Sequence, residues 1–185
     1  ENLEKSMVAP TPLAHKIASA MLTMNRRYDE AITEAERAIA IDPNDPLGYI
    51  ALAEVFIFIG SPEKAEALIR KAMRLDPQEH GPYLLALGKA QLVKGAAADS
   101  ILLLQRAAQR SPDNRLAWMA LISAYGSLGR SEEAKAALMT LNNLQRRDKL
   151  VSFTVSRARE HWPFKEAGDR DRFLDGLRKA GVPEW

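Results

Sequence analysis

A proline recurs along this chain at a nearly fixed spacing, each time where a helical pattern ends. Pro43, Pro77 and Pro112 are 34 and 35 residues apart. Small residues recur in register with them, and two helical patterns separated by a Gly-Ser-Pro break lie between Tyr49 and Pro77. Such a period is typical of a solenoid, in which helix pairs stack and share one core. The chain is therefore predicted to be a stacked array of helix pairs.

Several positions agree from one copy to the next. An aromatic residue lies near the start, a glycine forms the turn, and an alanine opens the second helix. The residues that agree are Tyr49, Tyr83 and Trp118 near the start, Leu87-Gly88 late in a first helix, Gly60, Gly95 and Gly129 in the turn, and Ala31, Ala65 and Ala134 in the second helix. The chain thus resembles the tetratricopeptide repeat, a helix-turn-helix unit of about 34 residues. The resemblance implies an all-α, right-handed α-solenoid of four such units with C-terminal capping helices.

The repeat pattern divides the chain into three predicted segments. Residues 1–11 form a lead-in, residues 12–145 hold four repeats (12–45, 46–79, 80–114 and 115–145), and residues 146–185 form capping helices and a tail. In the fourth unit, Ile122 and Leu141 replace the small residues of earlier copies, and Arg146 stands where a proline is expected. Terminal repeats are often atypical, so the array is predicted to end there.

The segment after Asp148 fits two structures. Val151, Phe153 and Val155 alternate with polar residues as in a strand, but a helical stripe also runs from Val151 to Trp162. A lone strand in an all-helical protein would leave its backbone hydrogen bonds unpaired, so a helix over residues 151–162 is predicted. We expect this helix, with Trp162 and Phe164, to pack on the exposed end of the fourth unit.

A second, shorter helix is predicted beyond Pro163, capped by Asp169 and ending at Gly181. This region carries a narrower resemblance. The sequence WPFKEAGDRDRFLDGLRKAGVPE is similar to the C-terminal repeat module of bacterial proteins that often carry a class III adenylate or guanylate cyclase domain. Nothing in the chain resembles the cyclase catalytic domain, so the resemblance concerns neighbouring domains. It implies a regulatory or dimerisation module of a larger bacterial signalling protein.

Composition limits the chemistry. The 185 residues include no cysteine, which excludes disulfides, thiolate metal sites and cysteine nucleophiles. The net charge of +2 indicates neither nucleic-acid binding nor a membrane surface, and no apolar run approaches the roughly 20 residues of a membrane span. The compartment stays open, because the composition fits both the cytoplasm and the bacterial periplasm. A position within a membrane-anchored protein also stays open. Because the first residue is Glu1 rather than methionine, the chain is expected to be part of a longer or processed protein.

The sequence shows no catalytic or cofactor-binding pattern. His15, His80 and His161 lie in distant segments, and none is four residues from another histidine, so no metal site is indicated. The carboxylates, including Glu66, fall on predicted solvent-facing helix surfaces, and the arginines of the tail alternate with acids. The chain is therefore predicted not to be an enzyme and to bind no metal, cofactor or nucleic acid.

The tetratricopeptide resemblance implies a binding surface on the first helix of each unit, which lines the concave side. These positions form an apolar patch flanked by two charges. The predicted groove residues are Ile50, Glu54, Ile57, Phe58, Leu85, Lys89, Leu92 and Val93. An exposed apolar patch marks either a binding surface or a surface already covered, and burial by the chain's own tail is the alternative. The carboxylate clamp that related repeats use on chaperone C-termini is not expected, because Ala20 and Ala51 replace its asparagines although Lys16 matches.

The predicted function is a non-catalytic protein–protein interaction scaffold that binds a helix or an extended peptide in the apolar groove. The expected partner is a protein or peptide, homodimerisation stays open, and direct insertion into a membrane is not expected. Two alternatives remain at this point. One is the regulatory or dimerisation module described above, and the other is a carrier of an apolar small molecule in the same groove.

Overall fold

The computed structural model describes residues 11–78 and 80–185, and within these ranges the fold is entirely helical. The first eight helices form four hairpins that contact their neighbours in sequence, which confirms the predicted all-α class. The predicted lead-in, apart from Thr11, lies outside the described residues. The helices are α1 Pro12–Met24, α2 Tyr28–Ile41, α3 Pro46–Phe58, α4 Pro62–Leu75, α5 Gly81–Val93, α6 Ala97–Arg110, α7 Arg115–Ser127, α8 Ser131–Arg147, α9 Val155–His161 and α10 Ala167–Lys179.

Local sequence determines where the first helices of the hairpins begin. Side chains of Thr11, Asp45 and Asn114 precede α1, α3 and α7, and each accepts a hydrogen bond from a backbone amide of the first turn. Proline occupies the start of α1, α3, α4 and α5, where a missing amide hydrogen costs nothing. These signals explain why the helix starts could be read from the sequence.

The turn between the two helices of a hairpin requires a left-handed residue. Gly60, Gly95 and Gly129 adopt it with φ of 75°, 80° and 68°. In the first hairpin the equivalent residue is Arg26, with φ of 60°. A non-glycine residue in this conformation lowers the free energy of unfolding by roughly 1–2 kcal/mol. We therefore expect the Arg26 side chain to have a compensating contact. That contact is with the tail, as described below.

Small residues allow the two helices of each hairpin to pack closely. The second helices place alanine or serine in the core, each no more than 1% exposed: Ala31, Ala35, Ala38, Ala65, Ala72, Ser100, Ala107 and Ala134. In the fourth hairpin, Ile122 and Leu141 are larger and fully buried. Protein cores are close-packed, so a larger side chain at the small positions would displace its neighbours.

One carboxylate predicted to face solvent instead links two hairpins. Glu66 Oε1 of α4 accepts hydrogen bonds from Gln91 Nε2 at 2.9 Å and Lys94 Nζ at 3.0 Å, both adjoining the C-terminal end of α5. The sequence pattern placed Glu66 on the outer side of its own helix but did not show that α5 lies beside it. The next residue, Ala67, is exposed.

The first tail helix begins four residues later than predicted. The backbone over residues 151–154 is not helical, and α9 begins at Val155 after a cap formed by Thr154. The amides of Val155 and Ser156 donate to the carbonyl oxygens of Pro183 and Glu184 at 2.9 and 3.0 Å. The C-terminal residues therefore provide the acceptors for the start of α9, so the prediction of a helix from residue 151 was wrong.

The second tail helix, α10, begins at Ala167, and Asp169 lies in its first turn rather than at the cap. The predicted capping role of Asp169 was therefore wrong. Its carboxylate pairs with Arg172, one turn later. Gly181 follows the helix with φ of 82°, the conformation that favours glycine after a helix C-terminus.

Two alanine-to-leucine changes in α4 test this packing. Ala72 is fully buried, so Ala72→Leu should lower the free energy of unfolding by about 1–3 kcal/mol through overpacking. Ala67 is exposed, so Ala67→Leu should change it by no more than about 0.5 kcal/mol. Urea titration followed by circular dichroism measures both. Equal losses would contradict the placement of α4 in the core.

Candidate binding groove

The predicted groove residues lie on a surface that is largely buried. The first helices α1, α3, α5 and α7 contact one another in order and form one face of the array. Glu54 and Leu92 are half-buried, and the remaining six are buried: Ile50, Ile57, Phe58, Leu85, Lys89 and Val93. Phe58 is 8% exposed and Lys89 only 3%. Most of these positions are therefore already covered, which is the alternative that the sequence left open, and their binding of a partner stays a prediction.

The chain's own tail covers this part of the groove. The Phe58 ring meets the rings of Phe164 and Trp162 edge-on, with centroids 5.4 and 6.2 Å apart. Trp162 also stacks on Phe173 of α10 at 4.1 Å. All four rings are at most 8% exposed. Aromatic side chains bury a large area, so this cluster, Phe58–Trp162–Phe164–Phe173, joins the tail to the array.

Hydrogen bonds to main-chain groups hold residues 163–165 of the tail, which are not helical, in the groove. The Lys165 amide donates to Phe58 O at 2.7 Å, at the end of α3. Arg26 Nη1 donates to Phe164 O at 2.8 Å, and the Tyr28 hydroxyl donates to Pro163 O at 2.8 Å. The contact from Arg26 offsets its left-handed backbone. The first hairpin and the end of α3 therefore bind the backbone of the tail, not only its side chains.

Helix α10 lies against α7 with almost no space between the two backbones. A Cβ atom added at Gly126 of α7 would lie 1.9 Å from the carbonyl oxygen of Gly176 in α10. One added at Gly176 would lie 2.4 Å from Ser123 O. Ser123 Oγ donates to Phe173 O at 2.8 Å. Only glycine fits at this crossing, so both helices carry sequence features that their contact requires.

A charge pair between a buried lysine and a half-buried glutamate lies beneath the aromatic cluster. Lys89 Nζ of α5 donates to Glu54 of α3. The same ammonium group lies 4.6 Å from the Phe58 ring centroid and 5.4 Å from that of Trp162. A buried cation is costly unless it is paired, and here a carboxylate and two ring faces surround it. Lys89 therefore stabilises the covered groove rather than facing solvent.

Helix α10 lies against α7 of the fourth hairpin, as expected, but the aromatic residues of the tail do not pack where the sequence predicted. They enter the concave face between α3, α5 and α7 instead of covering the end of the fourth hairpin. A small cavity of about 60 Å³ remains between the tail and the array, bordered by Leu92 and Val93. The aromatic residues between positions 162 and 173, together with the apolar groove positions, were the signal available in the sequence. It did not distinguish the groove from the end of the array.

Part of the concave face remains open. One cavity of about 390 Å³ lies between α1, α3 and the tail, and its apolar wall includes Ala20, Met24 and Ala51. A second, of about 490 Å³, lies between the start of α7, the end of α8 and α9. Leu116 and His161 line both. We call the two together the open furrow: Ala20, Met24, Ala51, Phe58, Leu116, Met119, Leu150, Val151, Phe153 and His161.

The titratable groups show ordinary structural pairing. His15 Nδ1 lies 2.6 Å from Glu34, and His80 Nε2 lies 2.7 Å from Asp76. The hydrogen bond from His15, with the nearby Arg37, lowers the pKa of Glu34 below its usual value. In residues 11–78 and 80–185 there is no group of three or more side chains that could hold a metal ion. Nor does that part of the chain contain a helix long and apolar enough to cross a membrane.

Comparison with known proteins supports the repeat architecture. Two family models described as tetratricopeptide repeat match residues 22–92 and 117–148, together more than half of the chain. An Hsp70-Hsp90 organizing protein from Triticum aestivum is 32% identical over 94 residues, which are 49% of this chain. The chain spans only 16% of the length of that relative.

Three solved structures show the same fold. A thermophilic tetratricopeptide repeat protein of Thermus thermophilus, TTC0263, has a TM-score of 0.62 at 20% identity, covering 91% of this chain and 100% of that one. The MamA protein has a TM-score of 0.56 at 20% identity, covering 94% of this chain and 91% of that one. YrrB, described as a tetratricopeptide repeat protein with an unusual peptide-binding site, has a TM-score of 0.53 at 17% identity. The match covers 97% of this chain and 91% of that one. The resemblance to the cyclase-associated module stays a prediction.

Two glycine-to-alanine changes test the crossing of α7 and α10. Gly126→Ala introduces a Cβ that meets the α10 backbone, so it should separate the helices and lower the free energy of unfolding by about 1–3 kcal/mol. Gly168→Ala, also helical but with nothing within 4 Å, should leave it unchanged or raise it by up to about 1 kcal/mol. Hydrogen exchange over residues 162–180 should rise only in the first variant. Matching behaviour of both variants would contradict the close crossing.

Proposed function

We propose that this chain, which belongs to the tetratricopeptide repeat family, is a non-catalytic interaction module that binds an extended peptide segment of a partner protein in the open furrow. Tetratricopeptide repeat proteins mediate protein–protein interaction, and the furrow is what gives this chain a place to do so. Its two apolar cavities share Leu116 and His161 as lining residues. A concave apolar site with a few convergent polar groups is the usual form of a binding site. The furrow is the observation that carries the proposal.

The covered half of the groove, which holds a non-helical stretch of the tail, supports a peptide ligand without helical structure. There the array already holds residues Trp162 to Lys165 by ring contacts and by hydrogen bonds to main-chain groups. Main-chain hydrogen bonds provide affinity in extended-peptide recognition, and pockets for side chains provide specificity. The open half has the same construction, with first-helix side chains on one wall and the tail on the other. A partner segment bound there would lie beside the tail without displacing it.

The cavity between α1 and α3 favours an apolar anchor. Ala20 and Ala51 leave room at its base, while Met24 and the buried rings of Phe58 and Trp162 form its walls. Lys16, the one residue that matches the chaperone-binding clamp, pairs instead with Asp45 at 2.5 Å. The relative from Triticum aestivum is by its name an organiser of Hsp70 and Hsp90. At this cavity we propose an apolar side chain, not the acidic chain terminus that a clamp would hold.

Three further functions stay as predictions. A carrier would use the same cavity for an apolar small molecule. A homodimer would have an apolar surface available on α1, where Leu13, Ile17 and Met21 are each more than half exposed. A module of a larger signalling protein rests on the resemblance of the tail. The tail sequence that carries this resemblance includes Trp162, Phe164 and Gly176. These residues pack within this chain, so their presence requires no neighbouring domain.

Two leucine-to-glutamate changes test the proposed function. Leu116 lines both cavities and is 44% exposed, whereas Leu102 of α6 is 62% exposed and lines neither. A library of acetylated and amidated octapeptides is selected on the purified chain, and affinities are measured by fluorescence anisotropy. Leu116→Glu should weaken the selected peptides by at least about tenfold, because an apolar anchor would meet a carboxylate. Leu102→Glu should leave them unchanged, and both variants should stay folded by circular dichroism.

The same experiment separates the alternatives. Peptides whose binding is insensitive to Leu116→Glu would show that the furrow is not the binding surface. A library without binders, together with retention of apolar small molecules in native mass spectrometry, would favour the carrier. Light scattering on the same samples reports the mass and therefore tests homodimerisation.

A further inference from the structure

The larger cavity of the open furrow contains a polar side chain that the fold does not use. Gln145, near the end of α8, is only 7% exposed, and it lines the 490 Å³ cavity together with Leu116, Met119 and Phe153. Its carbonyl oxygen accepts the amide of Leu150. Its side-chain amide forms no hydrogen bond to any residue that the structure describes. Among the described residues, the buried side-chain atoms without a partner do not include this amide, so the amide reaches the water of the cavity. A ligand that fills the cavity would displace that water and would have to replace it as the partner of the amide.

We propose that Gln145 binds the main chain of the partner segment, while the cavity around it takes an apolar side chain and the adjoining arginine selects an acidic residue. This inference rests on the proposed function and specifies the chemistry of its ligand. Each part of it follows from a separate observation. These are the unpaired amide, the apolar wall and the charge at the rim.

The amide group matches a peptide rather than a hydrocarbon. A glutamine side chain offers both an N–H donor and a carbonyl acceptor, and one residue of extended peptide offers the complementary C=O and N–H. A purely apolar ligand would leave both groups of Gln145 unpaired, which costs free energy in a buried site. The cavity therefore favours a peptide over the apolar small molecule of the carrier alternative.

The wall of the cavity provides a place for one apolar side chain. Leu150 and Val151 are 47% and 62% exposed at its edge, although they lie beside the buried Phe153. Such residues form a contiguous exposed apolar patch with Leu116, and a patch of this kind marks an interaction surface. They belong to the segment between α8 and α9, part of which the sequence predicted to be helical. Residues 151–154 of this segment are not helical, and Val151 and Phe153 line the cavity.

The charge left over at the rim is positive. Two acids line or adjoin the cavity, and both are paired: Asp113 with Arg147 at 2.8 Å, and Asp148 with Arg147 and Arg115. Arg157 has no carboxylate partner among the described residues and donates only to Ser152 O, at 2.7 Å. His161 donates from Nδ1 to Arg157 O at 2.9 Å. A peptide with an acidic residue next to its apolar anchor would complement Arg157.

The test uses the octapeptides selected above and the change Gln145→Met, which keeps the length of the side chain but removes the amide. Affinity should fall by roughly tenfold, as expected for two lost hydrogen bonds. The stability of the free chain should stay essentially unchanged, because the amide has no hydrogen-bond partner among the described residues to lose. Gln78 is exposed, so Gln78→Met is the matched control and should change neither the affinity nor the stability. Replacing acidic residues of the peptides by lysine should also weaken binding by about tenfold, and this loss should disappear in Arg157→Gln.

The outcomes separate this inference from the proposed function. Peptides that depend on Leu116 but bind Gln145→Met and wild type equally would overturn the role of Gln145 and leave the proposed function standing. A loss of stability in Gln145→Met without a loss of affinity would show that the amide is structural, with water as its partner. Lysine-substituted peptides that bind as well as the acidic ones would overturn the role of Arg157. Absence of any Leu116-dependent peptide would overturn both proposals.

Discussion

The contact of Trp162 and Phe164 with Phe58 is the interaction on which the rest of this structure depends. It places a tail of two short helices inside the array instead of beyond its end. Several otherwise unusual residues follow from it. Lys89 is buried because the rings and Glu54 surround it, and Gly126 and Gly176 are glycines because α10 crosses α7 there. The side chain of Arg26, which has a left-handed backbone, binds Phe164 O.

The same contact determines what is left for a partner. A solenoid of four hairpins would offer its whole concave face, but here the tail occupies the half nearest the C-terminal ends of the first helices. The other half becomes a furrow with one wall formed by the array and one by the tail. Such a site is largely formed before a ligand arrives, which reduces the entropy cost of binding. Its chemistry also changes from that of the bare groove, because Trp162, His161 and the segment before α9 contribute side chains that the repeats do not have.

The repeat period was sufficient to predict the fold, because proline and small residues determine helix ends and helix spacing locally. The caps at Thr11, Asp45 and Asn114 belong to the same local class of signal. What the sequence could not provide was the location of the tail. A stripe of apolar residues shows that a surface is buried or binds something, but it does not show which surface covers it. Glu66 and Val151 were misplaced because their environment depends on elements outside their own helix or segment. Asp169 was misplaced because α10 begins before it, at Ala167. Gln145 has no sequence signal at all, because its role depends on a cavity formed by three elements.

The exchange rate of the Lys165 amide hydrogen, measured by NMR on the intact chain, tests the docked tail most directly. This amide lies outside any helix and donates only to Phe58 O, at 2.7 Å. If the tail occupies the groove, the amide will be protected to nearly the same extent as core amides of α5, while the exposed Val151 amide exchanges freely. Exchange of the Lys165 amide at the rate of an unstructured peptide would contradict the account, because the tail would then be undocked and the furrow would not exist.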